Sequence, residues 1–294
     1  MICSRLALSS FNGREMKVKL ANPAGFCYGV RRAIDVALEA AEKHGTPMYT
    51  LGPLIHNPQV ILKLEERGIH EVHDIADAPQ GSFIIMPSHG VPREVMRQAE
   101  NRGLQVVDVT CPFVRKVHEI AENLVADGYQ VIVLGDPGHT EVRGIMSVAG
   151  ENGLAVSDVK DIDPSKLCER VGIISQTTQT TERFERLVEE VARWVKDVRA
   201  HNTICHATTR LQKAALDLAA EVDVMLVIGG HNSANTRRLA EICADTGVPT
   251  HHIEVASELE DSWFTGVQTV GVTAGASTPD WIIEEVVKKL ENWD

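Results

Sequence analysis

A chain of 294 residues with 44% hydrophobic residues is long enough for two or three small domains or one large one. Its net charge of −12 and aromatic content of 4% argue against a nucleic-acid partner, which needs a basic surface. No stretch approaches the length of uncharged apolar residues that a membrane span needs, so none is expected. An acidic chain with no convincing signal peptide is expected in the cytoplasm, where its cysteines would stay reduced.

The chain is predicted to consist of a short N-terminal extension and three α/β units. Residues 1–16 are taken as the extension, because Met16 directly precedes the first strand-like run. The units cover residues 17–105, 106–200 and 201–294, and each alternates apolar strand-like runs with amphipathic helical runs. Such alternation is typical of parallel sheets covered by helices. We therefore predict three similar small parallel-sheet units arranged around a common centre.

The predicted elements follow one another in the same way in each unit. The first unit contains the strands "KVKLA", "PMYTLG" and "GSFIIMPS" and the helices "GVRRAIDVALEAAEK", "NPQVILKLEERG" and "PREVMRQAENRG". The second contains the strands "LQVVDVT", "YQVIVLGD", "LAVSD" and "VGIISQT" and the helices "FVRKVHEIAENL" and "TERFERLVEEVARWV". The third contains the strands "HNTIC", "VDVMLVIGG", "THHIEV" and "TVGVTAG" and the helices "RLQKAALDLAAE", "NTRRLAEICADTG" and "PDWIIEEVVKKLENW".

Cys27, Cys111 and Cys205 each lie where a strand-like run gives way to a helix. Reactive groups gather at this end of a parallel sheet, and a helix N-terminus lowers the pKa of a thiol and favours the metal-binding thiolate. The three cysteines therefore suggest one metal centre, although buried cysteines that only fill space remain the alternative. No role is assigned to the other cysteines, Cys3, Cys168 and Cys243.

Loops after other strand-like runs carry polar residues that suit a phosphate ligand. They are His56, His89, His139 with Glu141, Thr177, Ser233 with Asn235, and Ser277. Hydroxyl and amide side chains at a helix start lie beside unpaired backbone N–H groups, which bind anions. The same residues also form ordinary caps and turns. Glu141 could donate a proton if its pKa were raised, or it could be a solvated loop residue.

The remaining features are given simpler interpretations. His118 is predicted to lie on the surface, and the His251–His252 pair is discounted as a metal site because neighbouring strand residues point to opposite faces. Neither a GxxxxGK[ST] loop nor a GxGxxG loop is present, so ATP and dinucleotide sites are not indicated.

The motifs together resemble those of the LytB family of 4-hydroxy-3-methylbut-2-enyl diphosphate reductases. The resemblance runs from about residue 17 to the end of the chain. It is carried, in order, by "GFCYGVRRAI", "LIHNP", "SHGVP", "DVTCPFVRKVH", "GHTEVRG", "SQTTQT", "TICHATT", "NSANTRRL" and "GVTAGASTPD". The chain departs from the family at Ala234, where a second serine is usual, and at Tyr28 and Arg210.

The resemblance implies an α/β trefoil around a central 4Fe–4S cluster held by Cys27, Cys111 and Cys205. It implies Glu141 as the proton donor and Thr177 as the residue beside the substrate hydroxyl. The implied diphosphate-binding residues are His56, His89, His139, Ser233, Asn235 and Ser277. Ala234 occupies the remaining contact position without a hydroxyl.

The implied activity removes an allylic hydroxyl with two electrons and two protons and gives isopentenyl and dimethylallyl diphosphate. Because the loops carry few lysines or arginines, protonated histidines and helix dipoles are expected to supply much of the positive field. No nicotinamide or redox-carrier domain is indicated, so a ferredoxin or flavodoxin is the expected electron donor. The alternatives are a zinc-dependent phosphohydrolase and a non-catalytic iron–sulfur sensor.

Overall fold

The computed structural model describes residues 7–11 and 14–293, with side chains from Met16 onward, and Cys3 lies outside this range. The described strands are β1 (Ala7–Phe11), β2 (Arg14–Leu20), β3 (Met48–Leu51), β4 (Ile69–Val72), β5 (Phe83–Met86), β6 (Gln105–Asp108), β7 (Gln130–Leu134), β8 (Leu154–Val156), β9 (Arg170–Ser175), β10 (Asp197–Ala200), β11 (Val224–Ile228), β12 (Thr250–Ile253) and β13 (Thr269–Ala274). The described α-helices are α1 (Tyr28–His44), α2 (Pro58–Glu65), α3 (Arg93–Asn101), α4 (Pro112–Ala126), α5 (Thr140–Ala149), α6 (Thr181–Val191), α7 (His206–Ala219), α8 (Ala234–Asp245) and α9 (Asp280–Glu291).

The described strands form three sheets, with the orders β4-β3-β5-β6, β10-β9-β7-β8 and β1-β2-β13-β11-β12. All pairings are parallel except that of β1 with β2. In the first two sheets the first strand of the segment is central, flanked by the second and the third, and the fourth lies beyond the third. In the third sheet β11 lies between β12 and β13, and β2, from the start of the chain, takes the place beyond β13. This confirms the predicted α/β class with three small parallel sheets.

Two strands pair differently from the predicted division of the chain. β2, assigned to the first unit, pairs with β13, so that Val18 lies opposite Val270 in the third sheet. β6 crosses the boundary at residue 105 and pairs with β5 of the first sheet. Periodicity identifies a strand but not its neighbour, because pairing depends on residues far away in the chain. The three boundaries stay a prediction, and the predicted extension contributes β1 to the edge of the third sheet.

Each cysteine singled out in the sequence follows a strand that lies next to β5, β9 or β13. β2, β6 and β10 lead to Cys27, Cys111 and Cys205, and the helices α1, α4 and α7 begin directly after these cysteines. The predicted junctions are thus confirmed. The strand expected at "HNTIC" is corrected: β10 ends at Ala200, and residues 201–205 are a loop without regular structure.

The chain divides into two compact units. The terminal unit consists of the residues up to Tyr28, His56–Val60 and the residues from His206 onward, and the central unit consists of Gly29–Ile55 and Ile61–Cys205. In the terminal unit, β11 is buried along its whole length because helices cover both of its faces. Leu226 belongs to a hydrophobic cluster with Val286 of α9, and Val227 to another with Leu211 of α7.

The strand order places the polar loops at defined points. In each sheet there are two adjacent strands whose following connections run to opposite sides of the pair. These pairs are β3 and β5, β7 and β9, and β11 and β13. Open parallel sheets bind ligands beyond the carboxyl ends of the strands at such switch points. The six polar loops found in the sequence follow these six strands. The polar loops thus follow the two strands at the switch point of each sheet.

Candidate active site

Glu141 and Thr177 meet at the switch point between β7 and β9. The Thr177 backbone N–H donates to Glu141 Oε1 at 2.7 Å, and the Thr177 hydroxyl donates to Oε2 at 2.9 Å. Only 3% of Glu141 is exposed. Glu141 was predicted in a loop, but it lies in the first turn of α5, where His139 is the N-cap and its Nδ1 accepts the Glu141 N–H at 3.1 Å.

Burial decides the protonation of Glu141. Removal from water raises its pKa to about 7, although the two hydrogen bonds from Thr177 lower it. A carboxyl group with a pKa near neutrality can hold a proton at physiological pH and release it to a substrate. The structure thus favours the proton-donor interpretation of Glu141 over the solvated-loop alternative.

Cys111 and Cys205 lie in the same unit as this pair. The Cys205 N–H donates to the Thr177 carbonyl at 3.0 Å, and the Cys111 N–H donates to the Ser88 carbonyl at 2.9 Å. Charges on Cys205 and Glu141 both raise the pKa of Cys111, so these groups are electrostatically coupled. The two half-buried thiols and the buried acid therefore belong to one candidate site.

The expected lowering of the thiol pKa at a helix start is corrected for Cys111. Burial is the largest influence and raises the pKa of this thiol. The backbone N–H groups of Phe113 and Val114, at the start of α4, act in the opposite direction but do not compensate. Binding of a metal to Cys111 would therefore release its proton.

His89 follows β5 in the central unit and is 8% exposed. Its ring lies with its centroid 6.3 Å from that of His139, nearly at right angles to it. Histidines from the first and second sheets are thus neighbours beside the start of α5. A pair of imidazoles at a helix N-terminus is suited to an anionic oxygen.

Ser233 and Ser277 meet at the switch point between β11 and β13 in the terminal unit. The Ser277 hydroxyl lies 3.3 Å from both the Ser233 hydroxyl and the His56 carbonyl oxygen. Ser233 caps α8 by accepting the Thr236 N–H at 3.3 Å. Two hydroxyls therefore lie together beside a helix start, where backbone N–H groups attract anions.

Asn235 is 5% exposed, and neither atom of its side-chain amide has a hydrogen-bond partner among the described residues. A buried amide without partners is costly, so its donor and acceptor are suited to a polar ligand. Ala234, the first residue of α8, stands between Ser233 and Asn235 and offers no hydroxyl.

The expectation that protonated histidines supply much of the positive field does not hold for His56. Burial lowers the pKa of His56, and the positive charge of Arg237 lowers it further. His56 is therefore a neutral imidazole at neutral pH. Arg237 was not singled out in the sequence, because it follows the motif residues as an ordinary helix cation.

Cys27 is half-buried and is tied by its backbone to the loop of Ser277. Its N–H donates to the carbonyl of Ala276 at 3.1 Å, and Ala276 directly precedes Ser277. The terminal unit thus holds Cys27, His56, Ser233, Asn235 and Ser277. The central unit holds the remaining predicted site residues: His89, Cys111, His139, Glu141, Thr177 and Cys205.

The predicted ligands Cys27, Cys111 and Cys205 carry thiol groups, the donors that iron–sulfur clusters use. Among the described residues, no group of three or more His, Cys, Asp or Glu side chains could hold a metal ion. A cubane is larger than an ion, and separate thiolates bind its separate irons. Cys205 lies close enough to Cys111 for its charge to raise the pKa of that thiol, and two such thiols fit that kind of ligand set.

The other cysteines differ in their surroundings. Cys243 is fully buried in a hydrophobic cluster of the terminal unit, and burial raises its pKa to about 12. Cys168 is exposed. In the described part of the chain, no helix combines the length and apolar character required to cross a bilayer.

The sequence profile of the LytB protein family matches residues 18–291. The 4-hydroxy-3-methylbut-2-enyl diphosphate reductase of Trichlorobacter lovleyi is 49% identical over 276 residues, which cover 94% of this chain and 98% of the relative. The protein of the same name from Pelobacter propionicus is 47% identical over 275 residues, with the same coverage of 94% and 98%.

Two solved structures are similar over most of the chain. One is (E)-4-hydroxy-3-methyl-but-2-enyl diphosphate reductase, the terminal enzyme of the non-mevalonate pathway, with 44% identity, a TM-score of 0.69, and coverage of 93% of this chain and 98% of that one. The other is the Plasmodium falciparum E-1-hydroxy-2-methyl-but-2-enyl-4-diphosphate reductase, with 28% identity, a TM-score of 0.90, and coverage of 95% and 89%.

The parallel sheets, the buried acid at their switch point and these relatives define an α/β oxidoreductase. The chain belongs to the LytB protein family. The resemblance inferred from the motifs is thereby confirmed. These relatives are named as reductases, which favours that interpretation over a zinc phosphohydrolase or an iron–sulfur sensor.

Proposed function

We propose that this protein reduces 4-hydroxy-3-methylbut-2-enyl diphosphate to isopentenyl and dimethylallyl diphosphate, the last step of the non-mevalonate isoprenoid pathway. One observation carries the proposal: a buried glutamic acid with a pKa of about 7, bound to Thr177, lies in one constellation with two cysteines. Glu141 is the acid, and Cys111 and Cys205 are the cysteines. The names of the family's curated members supply the substrate.

The reaction breaks the carbon–oxygen bond of the allylic alcohol. Two electrons and two protons are consumed: one proton leaves with the hydroxyl as water, and the other forms the new carbon–hydrogen bond. Cys27, Cys111 and Cys205 would hold a 4Fe–4S cluster, which supplies electrons and a Lewis acid for the hydroxyl oxygen. A ferredoxin or flavodoxin is proposed as the electron source, and the cytoplasmic location predicted from composition stays a prediction.

Glu141 and Thr177 handle the proton that leaves with the hydroxyl. Hydroxide is a poor leaving group, so protonation in the transition state lowers the barrier. The Thr177 hydroxyl bonds to the carboxyl group of Glu141 and can pass a proton between this group and the substrate oxygen, as can the bound diphosphate. Burial keeps water from competing for this proton.

The polar loops hold the diphosphate and so orient the hydroxyl carbon. The proposed contacts are His56, His89, His139, Ser233, Asn235 and Ser277. Their donors are hydroxyl, amide and imidazole groups beside the starts of α5 and α8, where helix dipoles favour negative charge. Binding energy from the diphosphate is thereby used to position the reacting end of the substrate.

The turnover rate should depend on pH through Glu141. Its raised pKa keeps it protonated below about pH 7, so kcat should be level there and should fall as the pH rises further. The profile is measured with saturating substrate and a chemical reductant under anaerobic conditions. Thr177→Val removes a hydrogen bond that favours the carboxylate, so the falling limb should move to higher pH. A limb that moves to lower pH, or stays where it was, contradicts this assignment.

Ala234→Ser should strengthen diphosphate binding, because it adds a hydroxyl between two proposed contacts, Ser233 and Asn235. One additional hydrogen bond contributes about 1 kcal/mol, or a roughly fivefold lower KM. The matched control is Ala244→Ser in the last turn of the same helix, an exposed position that should leave KM unchanged. An unchanged KM in both variants would show that position 234 does not contact the diphosphate.

Metal analysis separates the proposal from a zinc hydrolase. The protein isolated without oxygen should be brown and contain iron and acid-labile sulfide. A colourless protein with stoichiometric zinc would contradict the proposal. A brown protein without reductive turnover would instead indicate an iron–sulfur sensor.

A further inference from the structure

His118 lies on α4, two turns after Cys111, and is not a surface residue as the sequence suggested. It is half-buried, and its Nε2 atom is buried without a hydrogen-bond partner among the described residues. The proposed mechanism gives this side chain no part. In the central unit its ring lies beside the positions of Gly144 and Gly90.

The imidazole of His118 occupies the space where a side chain of residue 144 in α5 would lie. A Cβ atom added to Gly144 would lie 3.2 Å from His118 Cε1 and 3.3 Å from Nε2, closer than such atoms normally approach. Glycine in a helix interior is less stable than alanine, so helix propensity does not explain Gly144. The missing side chain leaves room for the imidazole ring beside α5, one turn after Glu141.

The same ring also reaches the loop of His89. A Cβ atom on Gly90, whose φ is +77°, would lie 3.7 Å from His118 Cε1 and 3.4 Å from Val114 Cγ1. Gly90 directly follows His89. The edge of the imidazole therefore faces the two elements that carry His89, His139 and Glu141, while its own helix begins directly after Cys111.

Shape, rather than charge, accounts for this placement. Burial lowers the pKa of His118, and the charge of Arg93 lowers it further, whereas Glu122 and Asp108 raise it without prevailing. The ring is thus neutral at neutral pH. With no hydrogen bond at Nε2 from the described residues, its role is that of a spacer of defined size.

We propose that His118 is a positioning residue, which sets the distance between α4, the His89 loop and α5 by filling the space over Gly90 and Gly144. The catalytic consequence rests on the proposed function, because it concerns the placement of Glu141. The proposed spacing does not rest on that function, because unfolding experiments test it without an activity assay.

A double-mutant cycle tests the spacing. His118→Ala, Gly144→Ala and the double variant are compared by urea unfolding of the cluster-loaded protein without oxygen. Gly144→Ala should destabilise the wild type, because its new methyl group meets the ring. In the His118→Ala background the same change should be neutral or stabilising, because alanine is the better helix former. The coupling should be roughly fivefold or more in the unfolding equilibrium constant. Additive effects would overturn the proposal.

Kinetics test the positioning. His118→Asn lacks the Cε1–Nε2 edge that contacts the glycines, whereas His118→Gln reaches the same place. The asparagine variant should lose about tenfold in kcat, since a small displacement of Glu141 is costly, while KM changes less than about twofold. The glutamine variant should recover much of the loss. His73→Ala, at a side chain that is 88% exposed, is the control.

The spacing role and the positioning role of His118 can be refuted independently. Unchanged kcat in His118→Asn, or an equal loss in the asparagine and glutamine variants, would overturn the positioning role even if the stability coupling is found. If the wild type shows no reductase turnover, the proposed function fails, and the unfolding cycle still decides the spacing.

Discussion

Replacing Cys111 by serine is expected to abolish both cluster binding and turnover, a larger loss than removal of the proposed proton donor should cause. Cys111 follows β6 at the edge of the first sheet and is the N-cap residue of α4, so its position is fixed by a sheet edge and a helix start. Serine has nearly the same size and preserves that backbone, but its hydroxyl is a poor ligand for iron. Iron, sulfide and visible absorbance are measured in protein prepared without oxygen.

Cys168→Ser is the matched control for this experiment. Cys168 is exposed, and its backbone N–H donates to Gln130 Oε1 at 2.8 Å, a bond that serine preserves. This variant should retain the full iron and sulfide content and normal turnover. Full cluster content in Cys111→Ser would show that Cys111 is not a ligand.

Glu141→Gln is expected to keep the cluster and lose roughly 100- to 10,000-fold in kcat, the range typical of a missing general acid. Glutamine fits the same place, because its carbonyl oxygen can accept the Thr177 N–H and its amide can donate to the Thr177 hydroxyl. It cannot release a proton, so binding should survive while the chemical step fails. Steady-state and single-turnover rates are measured together with iron content.

Glu151→Gln serves as the comparison, since Glu151 is exposed just beyond the end of α5. Its rate should match that of the wild type. If Glu141→Gln also turns over at the wild-type rate, the proton comes from another group, and the raised pKa of Glu141 has no catalytic meaning.

Sequence periodicity predicted the fold class well because the strands are short apolar runs between amphipathic helices. It could not predict that β2 completes the third sheet, since pairing with β13 depends on residues at the opposite end of the chain. It also missed α5, because the segment "GDPGHTEVRG" contains glycine and proline and resembles a loop. The glycine within that helix, Gly144, lies where a side chain would meet the ring of His118.

The site residues were identifiable because their loops follow strands, but their electrostatics were not. Burial is invisible in the sequence, and burial is the largest cause of the raised pKa of Glu141 and Cys111 and of the lowered pKa of His56. His118 was missed for the same reason. Polar neighbours on α4 gave it the appearance of a surface residue.

The fate of the substrate's hydroxyl group is the most direct test of the proposed reaction, and one assay can follow it. Cluster-loaded protein is given 4-hydroxy-3-methylbut-2-enyl diphosphate and a reduced one-electron dye without oxygen, and products and dye are quantified together. Two dye molecules should be oxidised for each isopentenyl or dimethylallyl diphosphate formed, with the diphosphate intact. Intact substrate with no dye oxidised, or release of inorganic phosphate, would contradict the assignment.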